Sequence, residues 1–378
     1  MADTELPAQP SFLWRTGSSV ITGLTGGICR TFLAGLNKLE VHGWDDFSRL
    51  LKEREDVENR KRGLITVSNH LSVLDDPLLW GALPYSLHWN ANNVRWSLAS
   101  HDLAFPNKLL STFFSLGNTL PTHRLAHSSF GGLFQPTMTQ AIRLLSAGPF
   151  QPPVSHPFPT GSVRSVPDLP DPFSDGALCY TTNGDDTFPA PSAYSSRRHA
   201  WVHVFPEGKI HQHPEMTMRY FKWGVSRMLL EAEPCPDLVP MWIEGFDQIM
   251  HESREFPRFV PRAGKQVSVT FGQRVDTERV FGDLRERWRR LRESVKQIRG
   301  DETVEELGVL RDDELRVGDE AVKLREECTL RVRQEVLKLR VARGLPAEDP
   351  KASLVETWKE EGGKTEGHMQ DGSWVKDT

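Results

Sequence analysis

The chain has 378 residues, of which 38% are hydrophobic and 26% charged, and carries a formal net charge of -5 at pH 7. That acidic balance argues against general nucleic-acid binding, and the length suffices for one sizeable α/β core with additions around it. Cys29, Cys179, Cys235 and Cys328 stand far apart with no Cys-x-x-Cys pair, so neither a disulfide framework nor a zinc site is indicated.

The first six residues, Met-Ala-Asp-Thr-Glu-Leu, resemble neither an Arg-rich transit peptide nor a secretory signal, so any organellar address is expected to be internal. No segment reaches the roughly 18 to 20 uninterrupted apolar residues of a spanning helix. The nearest, Gly17 to Leu39, is broken by Gly23, Gly26, Gly27 and Arg30. Within it Val20, Leu24, Ile28, Phe32 and Leu36 recur every fourth residue, which predicts an amphipathic helix. Phe12, Trp14 and Arg15 precede it, as at a membrane interface. Residues 11 to 39 are expected to lie on a membrane or insert partly into it; a core-packing helix is the other reading.

Leu64-Ile-Thr-Val-Ser68 is short, β-branched and apolar, and reads as a buried strand. It delivers Asn69-His70-Leu71-Ser72-Val73-Leu74-Asp75-Asp76-Pro77, with a helix expected to start at Pro77 under an Asp76 cap. Residues five apart do not face each other on one helix, but a strand, turn and helix start would fold Asp75 back onto the His70 imidazole. Such a pair suits acyl transfer. Histidine takes and returns the proton of an attacking hydroxyl, and the carboxylate fixes its tautomer. On spacing alone, a packed histidine beside capping acids fits equally well.

Further on, Phe113 to Arg124 carries Gly117 and then Arg124, whose guanidinium suits a phosphate. A second strand candidate, Ala200-Trp-Val-His-Val204, runs into Phe205-Pro206-Glu207-Gly208-Lys209, so a carboxylate again emerges from a strand end into a glycine turn. Met218 to Glu233 places Phe221, Val225, Met228, Leu229 and Ala232 on one helical face, suited to a core or to a leaflet. Leu238 to Ile243 is one more apolar strand candidate. His199-x3-His203 falls on a strand whose alternate residues point to opposite faces, and no metal is expected there or at His211-x-His213.

In order and spacing, His-x4-Asp, Gly…Arg, Phe-Pro-Glu-Gly and Val-Pro-Met resemble the glycerolipid acyltransferase superfamily over about residues 12 to 275. Asp75-Asp76-Pro77, Phe113 to Arg124, Phe205 to Ile210 and Met218 to Gly224 are similar to its branch that remodels cardiolipin in mitochondria. The resemblance implies an α/β fold, a sheet covered by helices, with His70 as base and Asp75 as its orienting partner. It also implies a lipid site of Asn69, Ser72, Gly117, Arg124, Phe205, Pro206, Glu207 and Gly208, with Glu207 and Gly208 on glycerol and Arg124 on phosphate. The implied reaction passes an acyl chain from a phospholipid to a lysophospholipid such as monolysocardiolipin, with no cofactor, at a mitochondrial membrane facing the intermembrane space. An acyl-CoA-dependent lysophospholipid or glycerol-3-phosphate acyltransferase is the alternative enzyme, and a non-catalytic membrane scaffold the alternative of another class.

The expected organisation is an N-terminal membrane-associated segment (1–40), an acyltransferase domain (41–280), a charged helical extension (281–345) and a disordered tail (346–378). Residues 149–198, rich in proline and ending in serine, depart from the family and read as an insertion. From residue 281 on, 43 of 98 residues are charged against 54 of 280 before, which predicts a solvated helical arm with ion-paired faces.

Overall fold

A computed structural model describes residues 8–90, 92–125, 127–128, 131–148, 179–180, 188–299, 306–359, 367–369 and 372–376. The strands are β1 (Lys38–His42), β2 (Leu64–Val67), β3 (Ser97–Ser100), β4 (Thr119–Thr122), β5 (Cys179–Tyr180), β6 (Phe188–Pro189), β7 (Trp201–Val204), β8 (Ile210–Gln212), β9 (Asp237–Glu244), β10 (Gln266–Phe271), β11 (Gly367–His368) and β12 (Trp374–Lys376). The helices are α1 (Phe12–Arg30), α2 (Trp44–Glu53), α3 (Asp75–Trp80), α4 (His101–Ala104), α5 (Lys108–Leu116), α6 (Pro136–Leu145), α7 (Gly224–Glu231), α8 (Phe246–Ile249), α9 (Thr277–Arg299), α10 (Asp313–Val317), α11 (Asp319–Ala342) and α12 (Val355–Lys359).

The central sheet has the order β1-β10-β9-β2-β7. β2 runs parallel to both β7 and β9, so these three strands end on one side of the sheet; β10 is antiparallel to β9, and β1 parallel to β10. Alternation along the strands fills two cores. Ile65, Val67, Val202, Leu238 and Trp242 face one side, where residues of α6, α7, α9 and α11 complete the packing. Leu64, Trp201, Val239, Met241, Ile243, Val267 and Val269 face the other, covered by residues of α2, α3 and α8. The result is a three-layer α/β sandwich with helices on both faces.

Several sequence expectations change here. Of the apolar stretch Met218 to Glu233, only α7 is helical, and Phe221, Val225, Met228, Leu229 and Ala232 all lie in the first core, so the core reading holds rather than the leaflet. The expected solvated arm is instead a structural layer: Phe281, Leu284 and Trp288 of α9 and Leu324, Cys328, Val332 and Val336 of α11 are buried. High charge hid this, because arginines such as Arg325, Arg333 and Arg340 are themselves buried and spend their donors on backbone carbonyls. The expected disordered tail carries β12, paired antiparallel with β8, and its Val375 is buried. Most of the 149–198 insertion lies outside the described residues; its end folds back, with Phe188 against Trp14 of α1 at 5.9 Å between ring centroids.

α1 is unusual in what it turns inward. Its buried positions are Ser18, Thr22, Gly23, Gly26 and Cys29, and small residues let it approach closely: a Cβ on Gly26 would meet the His88 ring at 2.3 Å. Of the expected stripe, Val20, Leu24, Ile28 and Leu36 face outward, with Ile28 69% exposed, whereas Phe32, past the end of α1, packs against the second core. No helix of the described residues is long and apolar enough to cross a membrane.

Candidate active site

The site is built at the carboxyl ends of β2, β7 and β9, where open parallel sheets place their ligand crevices. After β2, Asn69 continues the sheet through its side chain: Nδ2 donates to the Ile243 carbonyl at 3.0 Å and Oδ1 accepts from the Ile243 amide at 2.9 Å. The chain then turns, and Asp75, the first residue of α3, reaches back. Its Oδ2 accepts from His70 Nδ1 at 2.8 Å and from the backbone amides of Leu71 and Ser72 at 2.5 and 2.9 Å. Burial pushes the fully enclosed Asp75 carboxyl up, and the hydrogen bond and charge of His70, with the two amides, oppose that rise. With Nδ1 on Asp75, Nε2 is the imidazole nitrogen turned away from the carboxylate. The Phe205 ring stacks on the imidazole at 4.5 Å, so the strand end after β7 fixes the ring plane.

Glu207 is placed differently from the role that the resemblance implies. It is 2% exposed, and its two oxygens accept the backbone amides of His70 at 2.9 Å and Arg219 at 2.8 Å. It clamps the backbone of His70 itself. Asn69 and Ser72 are likewise buried in loop-holding bonds, Ser72 accepting the Leu74 amide at 3.2 Å. Gly208 closes the turn at φ +59, with its amide donating to the Phe205 carbonyl at 3.0 Å, and the Pro206 carbonyl accepts the Lys222 amide at 2.7 Å. The clamp is braced from α11. Arg333 donates to the carbonyls of Arg219 and Met218 at 2.9 and 2.7 Å, and Arg340 to those of Met216 and Glu215 at 2.9 and 2.8 Å.

Arg124 follows β4 and is forked onto Asp102 of α4, Nε reaching Oδ1 at 3.1 Å and Nη2 reaching Oδ2. Although burial works to raise it, the Asp102 carboxyl is held below its usual range by that guanidinium. The fork orients Arg124 but joins it to an acid rather than to the His70 dyad.

Asp76 is not the helix cap expected, since α3 begins one residue before it and its cap position, Leu74, makes no side-chain bond. It accepts instead from Trp80 Nε1 at 3.1 Å and Arg95 Nη2 at 2.5 Å. The Arg95 charge also sits 5.5 Å from the Trp80 ring, and its Nη1 donates to the Gly117 carbonyl at 3.3 Å. Arg95 lies in the polar loop before β3, where nothing in the sequence marks it. Removing Asp76 should therefore cost more than a cap. Asp76→Ala is expected to lower unfolding free energy by about 2 to 3 kcal/mol in urea titration, because a largely buried guanidinium loses its counter-ion; a loss near the ~1 kcal/mol of a cap would contradict this.

Asp76, Pro77 and Val73 also line a cavity of about 280 Å³ between α1, α3 and α5. Its walls are mainly apolar, including Ile21, Trp80 and Phe113, and Gly117 also lines it. Neither His70 nor Asp75 lines it; Val73, Leu74, Asp76 and Pro77, the neighbours of the dyad carboxylate in the chain, do, and they wall an apolar space suited to hydrocarbon.

An acyltransferase family model matches residues 38–244, more than half of the chain, and the α/β sandwich with its His-x4-Asp loop is that of an acyltransferase. Tafazzin of Saccharomyces cerevisiae is 35% identical over 94% of this chain and 87% of its own length, and Tafazzin of Drosophila melanogaster 29% over 74% and 57%. An N-acylphosphatidylethanolamine synthase of Arabidopsis thaliana is 28% identical over 64% of each. The chain belongs to the tafazzin family and is a phospholipid acyltransferase.

Proposed function

We propose that the protein is a CoA-independent transacylase that remodels the acyl chains of cardiolipin, taking them from a phospholipid and giving them to monolysocardiolipin. The observation that carries this reading is the Asp75-held His70 in a chain of the tafazzin family, with an apolar cavity walled in part by Val73, Leu74, Asp76 and Pro77 of the same loop and helix start. His70 Nε2 takes the proton of the acceptor hydroxyl, and the freed oxygen attacks the ester carbonyl of the donor. The tetrahedral adduct then expels the donor's glycerol oxygen, which takes the proton back from His70, so one ester forms as another breaks and no coenzyme is consumed. Asp75 holds the imidazole in one tautomer and stabilises its charged form. Glu207, Asn69 and Ser72 act through the loop they hold, while Arg124, pre-oriented by Asp102, and the Gly117 and Gly208 turns serve the acceptor's phosphate and glycerol.

The outward apolar stripe of α1 supports attachment along a leaflet surface, since a soluble helix would turn those residues inward. With the family membership, it supports a place on mitochondrial membranes facing the intermembrane space.

The test is direct. Purified protein given labelled phosphatidylcholine and monolysocardiolipin is expected to form labelled cardiolipin without acyl-CoA, in amounts that acyl-CoA does not raise. Product appearing only after acyl-CoA is added would make it a CoA-dependent acyltransferase, and no product in either case would remove the catalytic reading.

A further inference from the structure

The segment between α8 and β10 takes no part in the chemistry above, yet its surface is distinctive. Phe256 and Phe259 are 86% and 76% exposed. Between and around them stand Arg254, Arg258, Arg262 and Lys265, against two acids, Glu252 and Glu255. The guanidinium groups staple the loop to itself: Arg254 donates to the carbonyls of Arg258 and His251 at 2.5 and 2.7 Å, Arg258 to Glu252 at 2.6 Å and Arg262 to Glu255 at 2.6 Å. The two rings are therefore held outward on a bonded turn.

Its position matters as much as its composition. β10 is antiparallel to β9, so the loop that joins them lies at the end of the sheet that carries His70. At one end the Glu252 amide donates to Gln212 Oε1 at 3.0 Å, and Gln212 Nε2 donates at 2.7 Å to the carbonyl of Leu71, the neighbour of the base. At the other, the Gly264 amide donates to the Leu36 carbonyl at 2.8 Å, where the outward stripe that begins on α1 ends. The loop is thus continuous with the apolar stripe on one side and with the dyad loop on the other.

Exposed phenylalanines flanked by cations match the chemistry of a lipid interface, where rings sit at headgroup depth and arginines meet phosphates. The cation excess also decides the kind of surface. A chain of net charge -5 is repelled by an anionic bilayer unless a local cationic patch faces it, and that patch then sets the orientation. We propose that residues 254–262 are a second membrane contact, seating Phe256 and Phe259 in the headgroup layer of an anionic bilayer and turning the His70 end of the sheet toward its lipid. This rests on the reading of the substrate as a membrane phospholipid.

Sedimentation of the full-length protein with vesicles of phosphatidylcholine, and of phosphatidylcholine with a quarter phosphatidylglycerol, tests it. Wild type is expected to bind the anionic vesicles at least about tenfold more tightly, with the preference shrinking as salt is added. Phe256→Ser with Phe259→Ser should lose about tenfold or more on anionic vesicles, and Arg258→Gln about fivefold, one cation's share at such a surface. Both variants should melt as wild type does and transfer acyl chains between detergent-dispersed lipids at the wild-type rate. Anionic-vesicle binding left unchanged by both variants, or a wild type indifferent to lipid charge, would overturn the proposal. A wild type that shows the vesicle preference but transfers no acyl chain in detergent would overturn the transacylase reading and leave the lipid contact standing.

Discussion

Asp75→Asn is expected to cut acyl transfer by more than about a hundredfold while leaving the fold intact, and His70→Ala to do the same. Acid–base assistance of this kind contributes ~10^2 to 10^4 in rate. The geometry says why asparagine fails although it is nearly isosteric. Oδ2 of Asp75 gathers His70 Nδ1 and the amides of Leu71 and Ser72. An amide oxygen could still accept from the two backbone groups, so the turn should survive. It would carry no charge to offset the imidazolium that forms when His70 takes the acceptor's proton. Burial raises the Asp75 carboxyl, so removing its charge is not expected to destabilise the protein. Initial rates of lipid transfer, read beside circular dichroism and thermal melting, check both halves. Near-normal turnover in a folded Asp75→Asn protein would sink the dyad.

How much of this was legible in the residues depended on whether the deciding interaction was local. The strands β2, β7 and β9 were readable because each is a short apolar run, and the His70–Asp75 contact followed from a strand, a turn and a helix start within a dozen residues. The roles of Asn69 and Glu207 were not. Asn69 is held by Ile243 and Glu207 by His70 and Arg219, contacts across 174, 137 and 12 positions that no spacing rule reports. The C-terminal layer escaped for another reason. Its arginines read as solvent-facing charges, yet Arg333 and Arg340 point inward to backbone carbonyls, a use of charge that composition cannot distinguish from exposure. For α1, periodicity located Val20, Leu24, Ile28 and Leu36 on the outward stripe but misplaced Phe32, which packs against the second core; what it could not show is that small residues such as Gly23 and Gly26 face the protein and leave the large ones outside.

Glu207→Gln is expected to lower turnover at least about tenfold at every pH and to change how stability depends on pH. A glutamine can accept one of the two amides but must turn its NH2 toward the other, leaving a donor facing a donor inside the protein, which costs about 1 to 3 kcal/mol. The base is then held less firmly, so the loss should appear in kcat more than in KM. Burial lifts the Glu207 carboxyl to about 7, opposed by the amides of Arg219 and His70 and by the charges of His70 and Arg333. A folded-state value above the ordinary 4.5 means that the protonated form is favoured by folding. The stability this contributes is fully present below about 4.5 and is lost as the pH rises through about 7. Glutamine does not titrate. The melting advantage of wild type over Glu207→Gln should therefore be widest near pH 4.5 and narrow steadily toward pH 7.5 (about one-half unit past the raised value). An advantage that stays constant across that window would show that Glu207 does not titrate there, and a variant with wild-type kcat would show that the clamp on His70 is not needed for turnover.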